Sequence, residues 1–373
     1  MTEEPTTAQT GVHPRPVVAR LPKYAAGKPP SVIAGLESFK LSSNENPLGP
    51  VPAVMDMLAG KLEVHRYPDT MCTALRTALG TFLDVPAEDV VTGAGSLGAL
   101  NQILAAFAGQ NDDGHPDEVV YAWRSFEAYP ICVGLAGAKS VQVPVRGDGT
   151  HDLPAMAAAV TDRTTVVLLC TPNNPTGPVL RLAETEEFIR SVRSDVVIVI
   201  DEAYQEFVRE PDAVDGLAMY RKYPNVVVLR TFSKAHGLAG LRVGYSVSGA
   251  DVTAYLRAAA TPFAVSSIAE QAAVASLENY DQVVERVQSL VDERDRVTTG
   301  LQELGWEIPE AQGNFIWLTF GPNTAEFAAL ADSQGLSVRA FGAEGVRVSI
   351  GEVAANTRLL EICASYTNAP RAS

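Results

Sequence analysis

Three short apolar runs recur in the middle of the chain, about thirty residues apart: VVLLC (166–170), VVIVI (196–200) and VVVLR (226–230). Continuous runs of β-branched residues and leucine are typical of strands buried on both faces of a parallel sheet. The segments between them, LAETEEFIRSVRS and GLAMYRKY, are compatible with helices and have the length of crossover connections. The pattern therefore predicts a doubly wound α/β sheet in the middle of the chain.

The pattern changes after about residue 265. A long helical stretch (266–304) is followed by short predicted strands, NFIWLTF, LSVRAF and VRVSIG, which alternate with helices. This succession indicates a second, smaller α/β domain. We expect an N-terminal segment (1–45) that packs with the small domain, a large domain (46–265) and a small C-terminal domain (266–373).

Polar residues follow each of the three apolar runs directly, in the segments TPNNPTG, DEAYQEF and TFSKAHG. Ligands of open α/β sheets bind beyond the carboxyl ends of the strands, where these segments would meet. Asp201 ends a wholly apolar strand, and an ionised carboxylate there is costly unless a cationic or N–H group pairs with it. Lys234 follows the next strand and precedes a glycine-punctuated loop that carries Arg242. These segments predict a ligand site that combines amides, an acid and an amine.

A fourth segment, VVTGAGSLGALNQILAAF (90–107), has the pattern of a strand, a glycine turn and a helix. Its glycines match the G-x-G-x-x-G pattern of dinucleotide-binding folds. The acidic residue that should end a second strand some twenty positions later is missing, because QNDDGHPDE is a polar loop. The more general expectation is a phosphate site formed by the backbone N–H groups around Gly95, Ser96 and Leu97. The four segments together suit a phosphorylated aromatic aldehyde.

Composition and charge narrow the function classes. The chain has 373 residues, of which 46% are hydrophobic and 20% charged, and its formal net charge is −15. This charge argues against nucleic acid or an anionic membrane as a partner, and no apolar run is long enough for a membrane helix. The first residues, MTEEPTTAQTGVHPRP, are polar and are expected to be frayed. The four cysteines lie far apart, at Cys72, Cys132, Cys170 and Cys363, and the five histidines are scattered among them. Neither a disulfide framework nor a metal site is therefore indicated. Unpaired cysteines fit a reducing cytoplasm, which we expect as the location.

The motifs SNENPLGP, RYPD, TPNNPTG, DEAY, RTFSKAHGLAGLRVGY and VRVSIG together resemble the pyridoxal-phosphate aminotransferases of fold type I. The resemblance extends from about residue 20 to residue 365 and is strongest to the branch of histidinol-phosphate and aromatic amino-acid aminotransferases. It implies a large domain with a mostly parallel, doubly wound sheet, a smaller α/β domain, pyridoxal 5'-phosphate as cofactor, and a homodimer.

The resemblance also implies the residues that act on the cofactor. Lys234 would bind it covalently and shuttle a proton, and Asp201 would pair with the pyridine nitrogen. Asn174 and Tyr204 would bond the ring hydroxyl, and Phe126 would stack on the ring. The phosphate would be held by Ser96, Leu97, Thr231, Ser233 and Arg242, with Tyr67 of RYPD reaching in from a partner subunit.

Further residues are implied for the substrate. Arg347, in VRVSIG, resembles the arginine that binds the terminal anion of the substrate, and a guanidinium fits a carboxylate or phosphate bidentately. Arg339 is a second candidate of the same kind. Tyr24, in LPKYAAGK, is expected to contact the substrate across the dimer.

Two departures from the family bear on the amino donor. Histidinol-phosphate enzymes commonly resemble PTYSMY and YNV where this chain has RSFEAY (124–129) and FAVSS (263–267), so Phe126 and Phe263 replace tyrosines. A less polar pocket favours a phenyl ring over a polar substrate. The sequence therefore predicts amino-group transfer between an aromatic L-amino acid and a 2-oxo acid. Histidinol-phosphate aminotransferase is the near alternative, and a nicotinamide-dependent oxidoreductase or a non-catalytic ligand-binding protein are alternatives from other classes.

Overall fold

The computed structural model describes residues 15–24, 26–60, 62–110 and 113–366. Most of the N-terminal segment that we expect to be frayed, residues 1–14, lies outside the described residues. So do the last residues of the predicted C-terminal domain, 367–373.

The strands of the described residues fall into three sheets. In chain order they are β1 Phe39–Lys40, β2 Val90–Gly93, β3 Glu118–Trp123, β4 Lys139–Pro144, β5 Thr164–Cys170, β6 Val197–Asp201, β7 Val226–Thr231, β8 Gly244–Ser248, β9 Phe315–Thr319, β10 Leu336–Ser337, β11 Arg339–Phe341 and β12 Gly345–Ser349.

Helices surround these sheets. They are α1 Pro16–Ala19, α2 Pro52–Ala59, α3 Thr73–Leu83, α4 Gly95–Phe107, α5 Tyr129–Ala136, α6 Leu153–Ala158, α7 Leu182–Ser191, α8 Gly216–Lys222, α9 Ala250–Ala258, α10 Ser267–Glu278, α11 Tyr280–Glu303, α12 Thr324–Ser333 and α13 Val353–Ser365. No helix among the described residues combines the length and the apolar character that crossing a membrane requires.

The large sheet has seven strands in the order β2-β8-β7-β6-β5-β3-β4. The three apolar runs form β5, β6 and β7, which pair in parallel, so the predicted mostly parallel α/β fold is confirmed. β8 is the exception, because it runs antiparallel between β2 and β7. Every residue of β6 is buried, as expected for a central strand covered by helices on both faces.

A smaller antiparallel sheet, in the order β11-β12-β9, lies in the C-terminal part of the chain. The N-terminal segment joins this part through β1, which pairs in parallel with β10. The predicted long helical stretch is divided into α10 and α11 at Asn279, whose backbone leaves the helical conformation (φ −116°, ψ 36°). Helix α10 packs on α2 and α3, whereas α11 packs on α13. The domain boundaries at residues 45 and 265 stay predictions.

Candidate active site

A cavity of about 350 Å³ opens where β5, β6 and β7 end. The last residues of these strands, Cys170, Asp201 and Thr231, line it together, because parallel strands bring their carboxyl ends to one edge of the sheet. The cavity brings together most of the predicted site residues: Tyr24, Ser96, Leu97, Phe126, Asn174, Asp201, Tyr204, Thr231, Ser233, Lys234, Arg242, Arg339 and Arg347.

Lys234 extends into this cavity from the loop after β7. Its Nζ donates a hydrogen bond to the carbonyl oxygen of Ser43 at 3.1 Å. Burial is the main cause that lowers the pKa of the Lys234 amine to about 7, and the positive charges of Arg347 and Arg242 add to it. A substantial fraction of this amine is therefore neutral near pH 7, as a nucleophile requires.

Asp201 lies at the end of β6 with a partner that sequence reasoning missed. The Tyr129 hydroxyl donates to Asp201 Oδ2 at 2.7 Å. The other carboxylate oxygen, Oδ1, is buried and has no hydrogen-bond partner among the described residues. Burial raises the pKa of the Asp201 carboxyl to about 6, against the opposing effect of the Tyr129 hydrogen bond. An unpaired buried carboxylate oxygen is costly, so this atom is suited to a protonated ring nitrogen of a ligand.

The N-terminus of α4 and the loop after β7 form a cradle for an anion. No side chain caps α4, so the first N–H groups of the helix, including those of Ser96 and Leu97, have no capping partner. Thr231 Oγ1 donates to Ser233 Oγ at 3.0 Å, and Arg242 Nη1 donates to the same Ser233 oxygen at 3.3 Å. Backbone amides, hydroxyls and a guanidinium converge here, as expected for a phosphate site.

Two glycines allow this close packing. A Cβ on Gly95, which has φ +74°, would lie 2.9 Å from the Arg242 guanidinium carbon. A Cβ on Gly244 of β8 would overlap the Ser96 backbone nitrogen and lie 2.6 Å from the Gly95 carbonyl carbon. The backbone of β8 and the start of α4 therefore approach each other at a distance that only glycine permits.

A hydrogen-bonded network fixes the Tyr204 hydroxyl at the cavity wall. The side-chain amides of Asn44 and Asn174 both donate to it, at 3.0 and 3.3 Å. Arg347 donates from Nη1 to Asn174 Oδ1 at 2.6 Å and from Nη2 to the Ser42 carbonyl oxygen at 2.9 Å. Burial raises the pKa of the Tyr204 hydroxyl and lowers that of the Arg347 guanidinium.

The outer part of the cavity is apolar on one side and charged on the other. The aromatic rings of Phe126 and Phe341 line it together with the half-exposed Tyr24. Arg339 forms an ion pair with Glu127, with 2.6 Å between Nη2 and Oε2. Arg347 has no acid within ion-pair distance among the described residues.

Two predicted site residues lie outside this cavity. Tyr67 is 83% exposed, and its ring stacks on that of Phe263 with 4.7 Å between the centroids. The role predicted for Tyr67 in a partner's site stays a prediction. Phe263 does not line the cavity of its own chain, so the apolar wall predicted from Phe126 and Phe263 is formed here by Phe126 and Phe341.

Sequence reasoning missed four residues of the site: Asn44, Glu127, Tyr129 and Phe341. Asn44 belongs to SNENPLGP, a motif that was recognised without a role for this asparagine. Glu127 and Tyr129 follow Phe126 in the segment WRSFEAYP. Their importance comes from partners distant in sequence, which no local pattern identifies.

These residues fit pyridoxal 5'-phosphate, the cofactor that the sequence resemblance implies. The unpaired Asp201 Oδ1 is placed for the pyridine nitrogen, the α4 cradle for the phosphate, and the Lys234 amine for the aldehyde. Among the described residues no cluster of histidine, cysteine and acidic side chains could hold a metal ion.

Relatives of known family share this architecture. Residues 37–362 match the family model for aminotransferase class I and II. A Streptomyces avermitilis protein named aromatic amino acid aminotransferase is 51% identical over 92% of this chain and 94% of its own length. A protein of the same name from Thermobifida fusca is 47% identical over 94% of this chain and 96% of its own.

A solved structure of similar fold is the histidinol-phosphate aminotransferase from Sinorhizobium meliloti in complex with pyridoxal-5'-phosphate. Its TM-score is 0.80 at 24% sequence identity, with 96% of this chain and 97% of that chain covered. The family predicted from the sequence motifs is confirmed, and the chain belongs to the class I and II aminotransferases.

Proposed function

We propose that this protein transfers an amino group between an aromatic L-amino acid, such as phenylalanine, tyrosine or tryptophan, and a 2-oxo acid such as 2-oxoglutarate, with pyridoxal 5'-phosphate as cofactor. The observation that carries the proposal is one cavity that combines the Lys234 amine, an arginine without an acid partner, and two phenylalanine rings. The names of the relatives from Streptomyces avermitilis and Thermobifida fusca support the aromatic donor. Family membership favours this function over a nicotinamide-dependent oxidoreductase or a non-catalytic binding protein.

The chemistry is divided between the cofactor and the protein. When bound, the cofactor supplies a conjugated ring that accepts electrons as a bond at the substrate's α-carbon breaks. Lys234 Nζ would be the nucleophile toward the aldehyde, and its free amine would be the base that carries a proton from one carbon to another. The Asp201 carboxylate would stabilise a positive charge at the ring nitrogen, and the Tyr204 hydroxyl would donate a hydrogen bond to the ring oxygen.

The substrate is held by groups further out. Arg347 would bind the α-carboxylate, because it lines the cavity and forms no ion pair with an acid among the described residues. Phe126 and Phe341 offer apolar surface to an aromatic side chain. Histidinol phosphate, the alternative donor, would leave this apolar surface against an imidazole, and its phosphate would bring a second negative charge to Arg347 in place of an α-carboxylate.

A homodimer completes this proposal. Tyr67 and Phe263 form an exposed aromatic pair next to RYPD, the motif in which the family resemblance implies a residue that reaches the partner's phosphate site. Exposed aromatic surface of this kind favours a protein interface. The Tyr67 hydroxyl, rather than its ring, is the group that would act on a phosphate in the partner.

A cytoplasmic location is part of the proposal. The four cysteines are free thiols, and all of them are buried. Burial raises the pKa of three of these thiols to about 11 or 12, so they are poorly reactive. A chain with unpaired thiols suits a reducing compartment.

The proposed function is tested in two steps. Borohydride reduction of the holoenzyme followed by peptide mapping is expected to find the pyridoxyl group on Lys234, and a label on another lysine would contradict the assignment. Phenylalanine and tyrosine are then expected to exceed histidinol phosphate in kcat/KM by roughly tenfold or more, because the cavity lacks a free second cation. A tenfold preference for histidinol phosphate would replace the proposed donor with the alternative.

A further inference from the structure

Two arginines are neighbours on adjacent strands of the small sheet and line the cavity. Arg339 of β11 and Arg347 of β12 are directly paired in the antiparallel register, and both side chains line the cavity. Directly opposite residues have neighbouring Cβ atoms on one face of a sheet, and like charges in such positions repel. Two uncompensated guanidinium groups here would form a strong site for a dianion.

The acid that pairs with Arg339 comes from a segment next to the large sheet. Glu127, which follows β3, contacts Arg339 Nη2 through Oε2 at 2.6 Å, and its carboxylate also lines the cavity. The pair is largely shielded from water, with 14% of the Arg339 side chain and 25% of the Glu127 side chain exposed. Low exposure strengthens the attraction between the two charges relative to a surface pair.

Arg347 differs in its partners. It contacts the neutral oxygens of Asn174 and Ser42, and its Nε is buried without a hydrogen-bond partner. Of the two paired arginines, Arg347 is therefore the one without an acid partner among the described residues. A substrate with a second anion would have to displace Glu127 from Arg339 and bind beside its carboxylate.

We infer that Glu127 is a positioning residue that sets the charge selectivity of the substrate pocket. By neutralising Arg339 it weakens the binding of a second negative charge, whether on a phosphate monoester or on the distal carboxylate of a 2-oxo acid acceptor, and leaves the binding of an aromatic monoanion unchanged. This inference rests on the proposed function, since it assigns Arg347 to the α-carboxylate.

The chain offers a matched control. Arg124 and Glu344 form a second ion pair between the same two parts of the molecule, and the Arg124 guanidinium also lies near the Phe341 ring, 5.6 Å from its centroid. Neither Arg124 nor Glu344 lines the cavity. Glu344→Gln therefore removes an equivalent ion pair without changing the charge of the pocket.

The experiment measures binding of two non-reacting ligands to the holoenzyme through the change in its cofactor absorbance. The ligands are glutarate, a dianion, and 3-phenylpropionate, an aromatic monoanion. Glu127→Gln is expected to tighten glutarate binding by roughly tenfold or more, the effect of one charge-assisted hydrogen bond, while 3-phenylpropionate changes by less than about threefold. Glu344→Gln is expected to change neither ligand, and Glu127→Asp, which keeps the charge, should restore the wild-type ratio.

Two outcomes would overturn the inference: equal changes for both ligands in Glu127→Gln, or the same change in Glu344→Gln. The experiment measures ligand binding and not turnover, so it tests the role of Glu127 even if phenylalanine proves a poor amino donor. Failure of the proposed function and failure of the role of Glu127 are thus distinguishable. A rise in kcat/KM for histidinol phosphate relative to phenylalanine in Glu127→Gln would be the corresponding kinetic result.

Discussion

At the scale of single residues, the site depends on ionisable groups whose pKa values burial moves toward neutrality. Burial disfavours the charged form of each group, so it lowers the pKa of the Lys234 amine to about 7 and raises that of the Asp201 carboxyl to about 6. Asp201 ends β6 and Lys234 follows the adjacent strand β7, so both groups reach the same cavity. The Tyr129 hydroxyl supports the ionised form of Asp201 through a buried hydrogen bond.

Tyr129→Phe is expected to destabilise the apoprotein more at about pH 8 than at about pH 5. Burial raises the folded-state pKa of Asp201 from its ordinary value of 3.8 to about 6, so the contribution of this group to stability is lost as pH rises from about 4 to about 6 and the buried carboxyl is ionised at pH 8. Without the Tyr129 hydroxyl, the ionised Asp201 carboxylate loses a hydrogen-bond donor, which lowers the free energy of unfolding by about 1.5–3 kcal/mol near pH 8. The loss is smaller at pH values where the carboxyl is protonated.

The measurement is the shift of the urea midpoint at the two pH values. Tyr121→Phe is the matched control, because Tyr121 is also buried but its hydroxyl accepts from the Gln142 side-chain amide at 3.1 Å. Its cost should not depend on pH in this interval. A Tyr129→Phe cost that is equal at both pH values would contradict the pairing with Asp201.

At the scale of elements, the order of strands decides which loops meet. β8 lies between β2 and β7, so the start of α4, which follows β2, comes against the loop that carries Arg242, which precedes β8. The phosphate cradle is therefore built beside β8 from segments that flank its two antiparallel neighbours, β2 and β7. Gly244, the first residue of β8, is the point of closest approach to the start of α4.

Gly244→Ala is expected to lower the affinity for pyridoxal 5'-phosphate by roughly ten- to a hundredfold, because the new Cβ displaces the Ser96 amide and weakens a charge-assisted hydrogen bond. Affinity for pyridoxal, which lacks the phosphate, should change much less. Both affinities are measured by titrating the apoprotein and following absorbance.

Gly240→Ala is the control, since a Cβ there would contact nothing within 4 Å although the residue lies two positions before Arg242. This variant should bind both ligands as the wild type does. If Gly244→Ala weakens pyridoxal as much as pyridoxal phosphate, the cradle is not specific to the phosphate.

At the scale of the whole molecule, one protomer provides all predicted cavity residues except Tyr67 and Phe263. These two rings stack on each other at the surface, and Tyr67 is 83% exposed. A site that needs the Tyr67 hydroxyl of a second copy would be complete only in a dimer. In such a dimer each cavity would be a composite of two chains.

Lys234→Ala and Tyr67→Phe variants, each of low activity alone, are expected to regain activity when their subunits exchange. Every mixed dimer would contain one site with both the lysine and the tyrosine hydroxyl, so about a quarter of wild-type activity should return at statistical exchange. Phenylalanine keeps the ring that stacks on Phe263, which preserves the surface pair. No recovery despite demonstrated exchange would place the Tyr67 hydroxyl in its own chain's site or outside any site.

The sequence by itself determined the strands β5, β6 and β7 and the polar segments that follow them. It also identified Lys234 and Asp201 as the candidate lysine and acid of the cofactor site. These features are local: apolar runs mark buried strands, and parallel strands must bring their carboxyl ends together. The family resemblance supplied further candidates, and the structure places all the predicted site residues except Tyr67 and Phe263 in one cavity.

Only the tertiary structure decided which distant side chains the site residues contact. Tyr129 meets Asp201 across 72 residues, Asn44 meets Tyr204 across 160, and Glu127 meets Arg339 across 212. The tertiary structure also decided that β8 runs antiparallel to its neighbours and that Phe263 lies outside the cavity. Such contacts arise from the packing of whole elements, and the periodicity of a short segment specifies which face is buried but not which distant side chain it meets.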